Sequence, residues 1–200
     1  MSSAVLYMSM SLDGFVAGPN VRPDNGLGDG GDRLHEWFTA GASTEHAGVP
    51  GRPEGVNGAV MDEVMSTGAV VAGRGTVEPA DYWGGDHHDG VPIFILSRHK
   101  SEADAARWPL VTYVSDVTIA MARAKEAAGE RDVLVHGVGT AQLALAAGVL
   151  DELQIHLVPV LLGEGRRLFE HLGADHIELD PIRVVEGRGV THLRYRVSRS

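Results

Sequence analysis

The middle of the chain alternates short apolar runs with amphipathic segments, and this alternation restricts the fold more than any other feature. Four runs have the length of buried strands, at residues 69–73, 92–97, 110–114 and 132–137. A helical pattern at 115–129 begins with Ser-Asp and ends in Gly129, and a second helical pattern ends at Gly148. This order predicts an α/β fold in which most strands are parallel.

The N-terminal region adds one more predicted strand, at residues 4–10, which ends close to Asp13. An Asp-Gly pair after a strand commonly makes a hairpin turn, but only a loop rich in Gly, Pro and Asn is predicted to follow, over 18–31. A short amphipathic helix comes next, with Asp32 in the N-cap position. Residues 41–58 are predicted to be irregular, and a short helix is predicted around 59–65.

The C-terminal third has a different pattern. Two alternating runs on either side of Gly187-Arg188-Gly189 predict an antiparallel hairpin. Before them, Gln154 and His156 alternate with apolar residues, so one strand face is polar. We interpret it as a face that meets solvent, and a functional role for His156 is the alternative. The sequence therefore predicts one domain over residues 1–200, with a mixed sheet that is mostly parallel and has an antiparallel C-terminal edge.

Composition excludes several classes of function. The chain carries 27 acidic and 17 basic residues, and its net charge of -10 repels phosphate backbones, which argues against nucleic-acid binding. Because cysteine is absent, disulfides and thiolate metal sites are excluded. No apolar run approaches the roughly 18 residues of a membrane span, so we expect a cytoplasmic protein without a membrane partner. The His-rich sequence DHHDG lies in a Gly-rich loop, and we expect no metal site there.

Small residues and arginines follow three of the predicted strands, where ligands bind in open α/β folds. The three groups are Gly73, Arg74, Gly75 and Thr76; Ser97 and Arg98; and Gly137 and Gly139, which precede a predicted helix. Each group alone is more commonly a turn or a solvated loop end. In an acidic chain, their repetition at successive strand ends predicts a phosphate-bearing cofactor. An arginine-serine pair suits the 2′-phosphate of NADP rather than NAD.

Four segments, in order, resemble the dihydrofolate-reductase-like superfamily: SMSLDGFVAG, AGRGTVEPADYW, FILSRH and VHGVGTAQLALAAGVLDELQIHLVPVLLGEGRRLF. The best-matching branch contains the pyrimidine reductase domain of riboflavin biosynthesis. The resemblance covers nearly the whole chain and is most specific over residues 150–169. It implies a three-layer α/β/α fold with NADPH as cofactor. Residues 73–76 and 96–98 would lie near the adenosine 2′-phosphate, and residues 137–140 at the pyrophosphate.

The chain departs from its relatives at three positions that bear on function. Dihydrofolate reductases carry a carboxylate where this sequence has Leu34, and the riboflavin-pathway reductases carry a glutamate where it has His136. Val138 replaces one glycine of the doublet typical of the superfamily, which would disfavour an unusual backbone geometry there. These differences put the substrate in doubt more than the cofactor.

The leading hypothesis is an NADPH-dependent reductase of a small pteridine- or pyrimidine-like heterocycle. Asp13 is the first candidate for orienting or protonating the substrate, followed by Asp81 and His136, and the loop at 18–31 is predicted to act as a lid. A non-catalytic NADP-binding or regulatory protein and a weak dihydrofolate reductase are the alternatives. The apolar alternation of the last strands also predicts a homodimer through the C-terminal edge.

Overall fold

The structure is a computed structural model that describes residues 2–22, 24–39, 53–99, 107–173 and 176–198. Most of the segment predicted to be irregular, residues 41–58, lies outside these ranges, which omit 40–52. The short helix predicted after it is confirmed, and it begins earlier than expected, at Gly55. None of the described helices is both long enough and apolar enough to cross a membrane.

Within the described residues, one eight-stranded mixed sheet forms the centre of the fold. Its strands are β1 (Ala4–Ser11), β3 (Ala69–Gly73), β4 (Ile93–Leu96), β5 (Val111–Val114), β6 (Val133–His136), β7 (Glu152–Val158), β9 (Glu178–Gly187) and β10 (Val190–Ser198). They lie in the order β5-β4-β3-β6-β1-β7-β10-β9. The first six of these are parallel to one another, β10 pairs antiparallel with β7, and β9 pairs antiparallel with β10. The predicted fold class and the C-terminal hairpin are therefore confirmed.

Helices cover both faces of the sheet. They are α1 (Glu36–Thr39), α2 (Gly55–Met65), α3 (Arg74–Val77), α4 (Val117–Ala128) and α5 (Val138–Ala146). On one face α4 and α5 bring buried alanines, among them Ala120 and Ala144, into the cluster that contains Val71 of β3. Because alanine side chains are short, both helices can lie close to the sheet. The opposite face carries α2 and the segment before β4, which pack over Val5 and Tyr7.

The short helix after the N-terminal loop does not begin as the sequence predicts. It starts with a 3₁₀ turn, Gly31–Leu34, preceded by Gly30 in the left-handed conformation (φ 74°), and the turn has no side-chain cap. Asp32 lies inside this turn, where its backbone carbonyl accepts a hydrogen bond from the N–H of His35. The assignment of Asp32 as N-cap is therefore wrong, because glycine reaches the required positive φ without a cap.

The polar face of β7 does not meet solvent, contrary to the prediction. Gln154 and His156 are buried beneath α1 and α2. Strand pairing puts His156 beside Ser9 of β1 on one side and His192 of β10 on the other, and Trp37 covers this row with its indole N–H donating to Ser9 Oγ (2.9 Å). Ser9, His156 and His192 each make a side-chain hydrogen bond, so these three can be buried at little cost, which alternation alone does not reveal. Among the described residues, Nε2 of Gln154 has no hydrogen-bond partner.

The Asp-Gly pair after β1 makes a tight turn, and a strand does follow it. The N–H of Gly14 donates to the carbonyl of Ser11 (3.0 Å), and β2 (Phe15–Ala17) begins immediately. This strand does not pair with β1; it forms a separate two-stranded antiparallel sheet with β8 (Arg166–Arg167). The pairing brings the arginines of β8 to the carboxyl ends of the central strands.

The outer edge of the sheet is formed by β9. Three of its apolar side chains are exposed, those of Leu179, Ile182 and Val184. A homodimer through this edge stays a prediction.

Candidate functional site: two adjoining cavities

Two adjoining cavities open at the carboxyl ends of β3 and β6. The first has a volume of about 430 Å³ and the second about 300 Å³. Nine of the residues predicted to bind a cofactor line the first cavity: Gly73, Arg74, Gly75, Thr76, Leu96, Gly137, Val138, Gly139 and Thr140. Four of these, Gly75, Thr76, Gly137 and Val138, also line the second cavity, so a ligand in one cavity would lie next to a ligand in the other.

Gly137 is the point at which the two cavity-forming turns touch. Its φ is +94°, and a Cβ placed on it would lie 2.2 Å from Oγ1 of Thr76. Because Gly137 takes up the unusual backbone geometry, the next residue, Val138, is the first residue of α5 and does not have a positive φ. The valine that replaces the superfamily glycine is therefore accommodated without strain.

The N-terminus of α5 and one buried hydroxyl face the first cavity. The first N–H groups of a helix have no intrahelical partner and carry the positive end of the helix dipole. Close by, Thr140 Oγ1 is buried, and no partner for it exists within the described part of the chain. It lies 3.2 Å from the position that a Cβ on Gly73 would take. Glycine at position 73 thus leaves room beside a hydroxyl that can still bond to a ligand.

Three arginines line the first cavity: Arg74, Arg166 and Arg167. Arg74 pairs with Glu78 (2.6 Å). Arg167 donates to the carbonyl of Asp13 (2.9 Å) and stacks over the ring of Phe15 (4.3 Å). Arg166 has no ion pair within the described ranges, and it lines both cavities.

The two arginines of β8 were missed at the level of the sequence. They lie in GEGRRLF, inside the most specific part of the resemblance, and two adjacent arginines after a Gly-rich turn were the available signal. Gln142 and Leu143 of α5 also line the first cavity.

Neutral polar and aromatic side chains line the second cavity, including Ser9, His35, Trp83 and His136. His136 Nδ1 lies 2.9 Å from the carbonyl oxygen of Tyr7. A carbonyl can only accept, so Nδ1 carries the proton and Nε2 keeps a lone pair for a ligand. Burial lowers the pKa of His136, and it lowers the pKa of His35 to about 4. Both rings are neutral at pH 7.

Asp13 is the first-ranked catalytic candidate, but its carboxylate is engaged elsewhere. Its oxygens accept hydrogen bonds from Ser11 Oγ (2.5 Å) and from the N–H groups of Leu162 (3.1 Å) and Gly163 (2.7 Å). These bonds, with the one from Ser11 contributing most, lower the pKa of Asp13 to about 2. Among the described residues that line either cavity, Asp13 is absent. Its catalytic role stays a prediction, and its contacts favour a structural role.

Replacing Asp13 by asparagine separates these two roles. We expect Asp13→Asn to lower Tm, because an amide has one acceptor oxygen for donors that now occupy two, while NADPH binding and turnover of the folded protein stay close to wild type. Tm is measured by differential scanning fluorimetry and turnover by NADPH oxidation. Loss of turnover at unchanged Tm and cofactor affinity would instead support Asp13 as the catalytic group.

The remaining predicted residues lie outside the two linings. Asp81 is exposed at the start of a turn before β4, and Arg98 is exposed after it. The hydroxyl of Ser97 donates to the carbonyl of His99 (2.7 Å). Of the residues that the structure describes in the group after β4, only Leu96 lines the first cavity. Roles for Asp81, Ser97 and Arg98 therefore stay predictions.

The loop predicted as a lid borders the second cavity through Gly26 and Leu27. Its own hydrogen bonds fold it, since the N–H of Gly18 donates to the carbonyl of Leu27 (2.8 Å) and the N–H of Asp29 to that of Pro19 (2.8 Å). A Cβ on Gly18 would come within 1.9 Å of the Asp29 carbonyl oxygen. The loop is thus a preformed wall of the cavity.

Comparison with known protein families gives one match along almost the whole chain. Residues 3–192 match the model of the RibD C-terminal domain. Among curated proteins, none matches this sequence.

Solved structures share the fold at low identity. A protein from Shewanella sp. PV-4 assigned to riboflavin biosynthesis superposes with a TM-score of 0.70 at 21% identity, over 98% of this chain and 99% of that one. A pyrimidine reductase-like protein of Corynebacterium diphtheriae gives 0.60 at 15% identity, over 100% and 93%. RibD of Acinetobacter baumannii gives 0.60 at 15% identity; this chain is covered completely and spans 59% of it. At these identities the likeness establishes the fold.

Proposed function

Because this chain belongs to the RibD C-terminal domain family, we propose that it is an NADPH-dependent reductase of a small pyrimidine- or pteridine-like heterocycle. One observation carries the proposal. A glycine- and arginine-lined cavity adjoins a cavity lined by histidine, tryptophan and apolar side chains, and the two share Thr76, Gly137 and Arg166 as a common wall. A cofactor and a substrate that exchange a hydride need such adjacent sites.

The residues of the first cavity fit a phosphate-bearing dinucleotide. The N-terminus of α5 offers free N–H groups to a pyrophosphate, and Gly139 leaves open space where a side chain would project. The buried hydroxyl of Thr140 can donate to a phosphate oxygen. Arg74 and Arg166 supply positive charge in a protein whose net charge is -10, and we assign the 2′-phosphate to them.

The second cavity would orient the ring to be reduced. NADPH, when bound, supplies the hydride. Nε2 of His136 can accept a hydrogen bond from a ring N–H, and Ser9 lies in the same lining. We therefore rank His136 above Asp13 and Asp81 as the residue that positions the substrate.

The weak dihydrofolate reductase is the less favoured alternative. No carboxylate occurs among the described residues that line the second cavity. Leu34, at the position of the folate-type carboxylate, is fully buried in the core. A site built for a protonated pterin lacks its counter-charge here.

Cofactor binding is the first test. We expect NADPH to raise Tm more than NADH does, and Arg166→Gln to weaken NADPH binding about 10- to 100-fold, the usual effect of losing hydrogen bonds to a charged group. Arg188→Gln, at the exposed hairpin turn, removes the same charge away from both cavities and should bind as wild type. Fluorimetry and titration calorimetry provide the two measurements.

The outcomes separate the hypotheses. An absence of any NADPH-induced change in Tm would contradict the proposal in every form. NADPH binding without oxidation in the presence of aminopyrimidines, pterins or dihydrofolate would favour the non-catalytic NADP-binding protein. We also propose a cytoplasmic location. We further propose a homodimer through β9, and size-exclusion chromatography with light scattering would test this oligomeric state.

A further inference from the structure

The segment before β4 contains a left-handed turn that has no part in the hydride transfer proposed for the two cavities. Asp81, Tyr82 and Trp83 have φ values of 44°, 55° and 51°, and Gly84 follows at 66°. In this conformation Cβ crowds the following carbonyl oxygen, so consecutive non-glycine residues rarely adopt it. Such geometry persists only where the surroundings enforce it, and it is concentrated at functional sites.

Contacts on both sides of the turn hold it in place. Tyr82 is buried, and its hydroxyl lies 3.1 Å from that of Tyr113 on β5. Gly85 packs so closely on Trp108 that a Cβ there would lie 2.2 Å from the indole. Tyr82 therefore points into the core, and the next residue, Trp83, is carried in a different direction.

Trp83 lies at the wall of the second cavity. Its indole is only partly buried, and it lines the cavity together with apolar groups such as Leu27 and Pro79. Behind it, the ring of His87 makes an edge contact at 4.6 Å. His87 is fixed in turn by His88, through a 2.7 Å contact between their Nδ1 atoms. A large aromatic ring is thus held rigidly at a cavity surface at the expense of backbone strain.

We infer that Trp83 is a substrate-positioning residue whose indole stacks on the planar heterocycle bound in the second cavity. The inference rests on the proposed function, because it takes the ring-binding cavity as the substrate site. A strained turn that only completed local packing would gain nothing from leaving the indole open to a cavity. Stacking is possible with any planar ring, so Trp83 would contribute affinity, and His136 would contribute specificity through a hydrogen bond to the ring edge.

Kinetics of two variants test this role. Trp83→Leu should raise KM for the heterocycle about 5- to 100-fold, the usual range for losing an aromatic stacking partner, with kcat and the KM for NADPH within about threefold of wild type. Trp83→Phe should restore KM to within about threefold of wild type, because it keeps an aromatic face. An unchanged KM in Trp83→Leu, or equal loss in both variants, would overturn the inference.

Direct binding gives a measurement that needs no turnover. We expect 5-aminouracil or pterin to quench tryptophan fluorescence in the wild type and in Trp108→Phe, and quenching to be lost in Trp83→Phe, with circular dichroism and Tm used to verify folding. Quenching that survives in folded Trp83→Phe, or that neither ring produces in the wild type, would overturn the inference. Failure of the proposed function shows separately, as the absence of an NADPH-induced change in Tm.

Discussion

Lowering the pH from 7 to 4 is expected to unfold this protein, because its folded state holds five of the histidines that the structure describes in the neutral form. Burial is the largest cause in each case. It lowers the pKa of His35 and His192 to about 4 and that of His87 to about 3, and it lowers the pKa of His136 and His156 as well.

The hydrogen bond between the buried rings of His156 and His192 requires one of their Nδ1 atoms to be unprotonated. Their Nδ1 atoms are 2.9 Å apart, so one atom donates and the other accepts. Asn57 donates through its amide nitrogen to the carbonyls of Trp37 (2.9 Å) and Arg188 (3.1 Å), so its oxygen faces His192 Nε2 at 3.1 Å. His192 therefore carries its proton on Nε2, and its Nδ1 accepts from His156. Protonating that Nδ1 would remove the acceptor from a buried pair.

The direction of the effect follows from linkage between protonation and folding. The unfolded chain takes up protons on these histidines near their ordinary pKa of 6.5, and the folded chain takes them up only at lower pH. Their stabilising effect is therefore complete above pH 6.5 and is lost as the pH falls toward 4. Each histidine that is protonated only in the unfolded chain lowers the free energy of unfolding by on the order of 1.4 kcal/mol per pH unit.

Urea unfolding at pH 7, 6 and 5 measures this dependence. We expect the free energy of unfolding to fall steeply over these steps, and His192→Gln to be less stable at pH 7 but less dependent on pH. His176→Gln, at an exposed position, should leave the profile unchanged. Asp13 cannot cause the loss, because its lowered pKa acts only below its ordinary value of 3.8. A flat profile between pH 7 and 5 would show that the histidines are not buried as described.

Local patterns in the sequence are enough to predict the sheet and the turns that line the first cavity, because both depend on short-range features. A few consecutive residues determine each strand and each of the turns at Gly73 and Gly137. Parallel strands bring such turns together at the carboxyl edge of the sheet. Arg166 could not be placed this way, since it reaches the site through pairing of β8 with a strand about 150 residues earlier. The left-handed turn at Trp83 likewise depends on packing against β5, which propensity does not contain.

Asp13 also shows that contacts between residues distant in sequence cannot be predicted from local patterns. Its position at the end of β1 is readable from the sequence, and its partners are not. The N–H groups that engage its carboxylate belong to Leu162 and Gly163, beyond the end of β7. A carboxylate that is free in the linear pattern can therefore be fully committed in the fold.

Gly137→Ala is expected to destabilise the protein by roughly 2–4 kcal/mol, whereas the neighbouring change Gly139→Ala should leave stability equal or slightly higher. At Gly137 an added Cβ meets Thr76 Oγ1 at 2.2 Å, and the φ of +94° is unfavourable for alanine. At Gly139, inside α5, an added Cβ meets nothing within 4 Å. Urea unfolding of the two variants at pH 7 measures the difference.

The same pair of variants separates an effect on folding from an effect on NADPH binding. Because Gly139 lines the first cavity and its added methyl group would project into open space, Gly139→Ala should weaken NADPH binding without loss of Tm. Adding Thr76→Ala to Gly137→Ala removes the contact and leaves the positive φ, so the stability it recovers measures the contact and the remainder measures backbone strain. Equal stability of Gly137→Ala and Gly139→Ala would contradict the contact between the two turns, and with it the common wall of the two cavities.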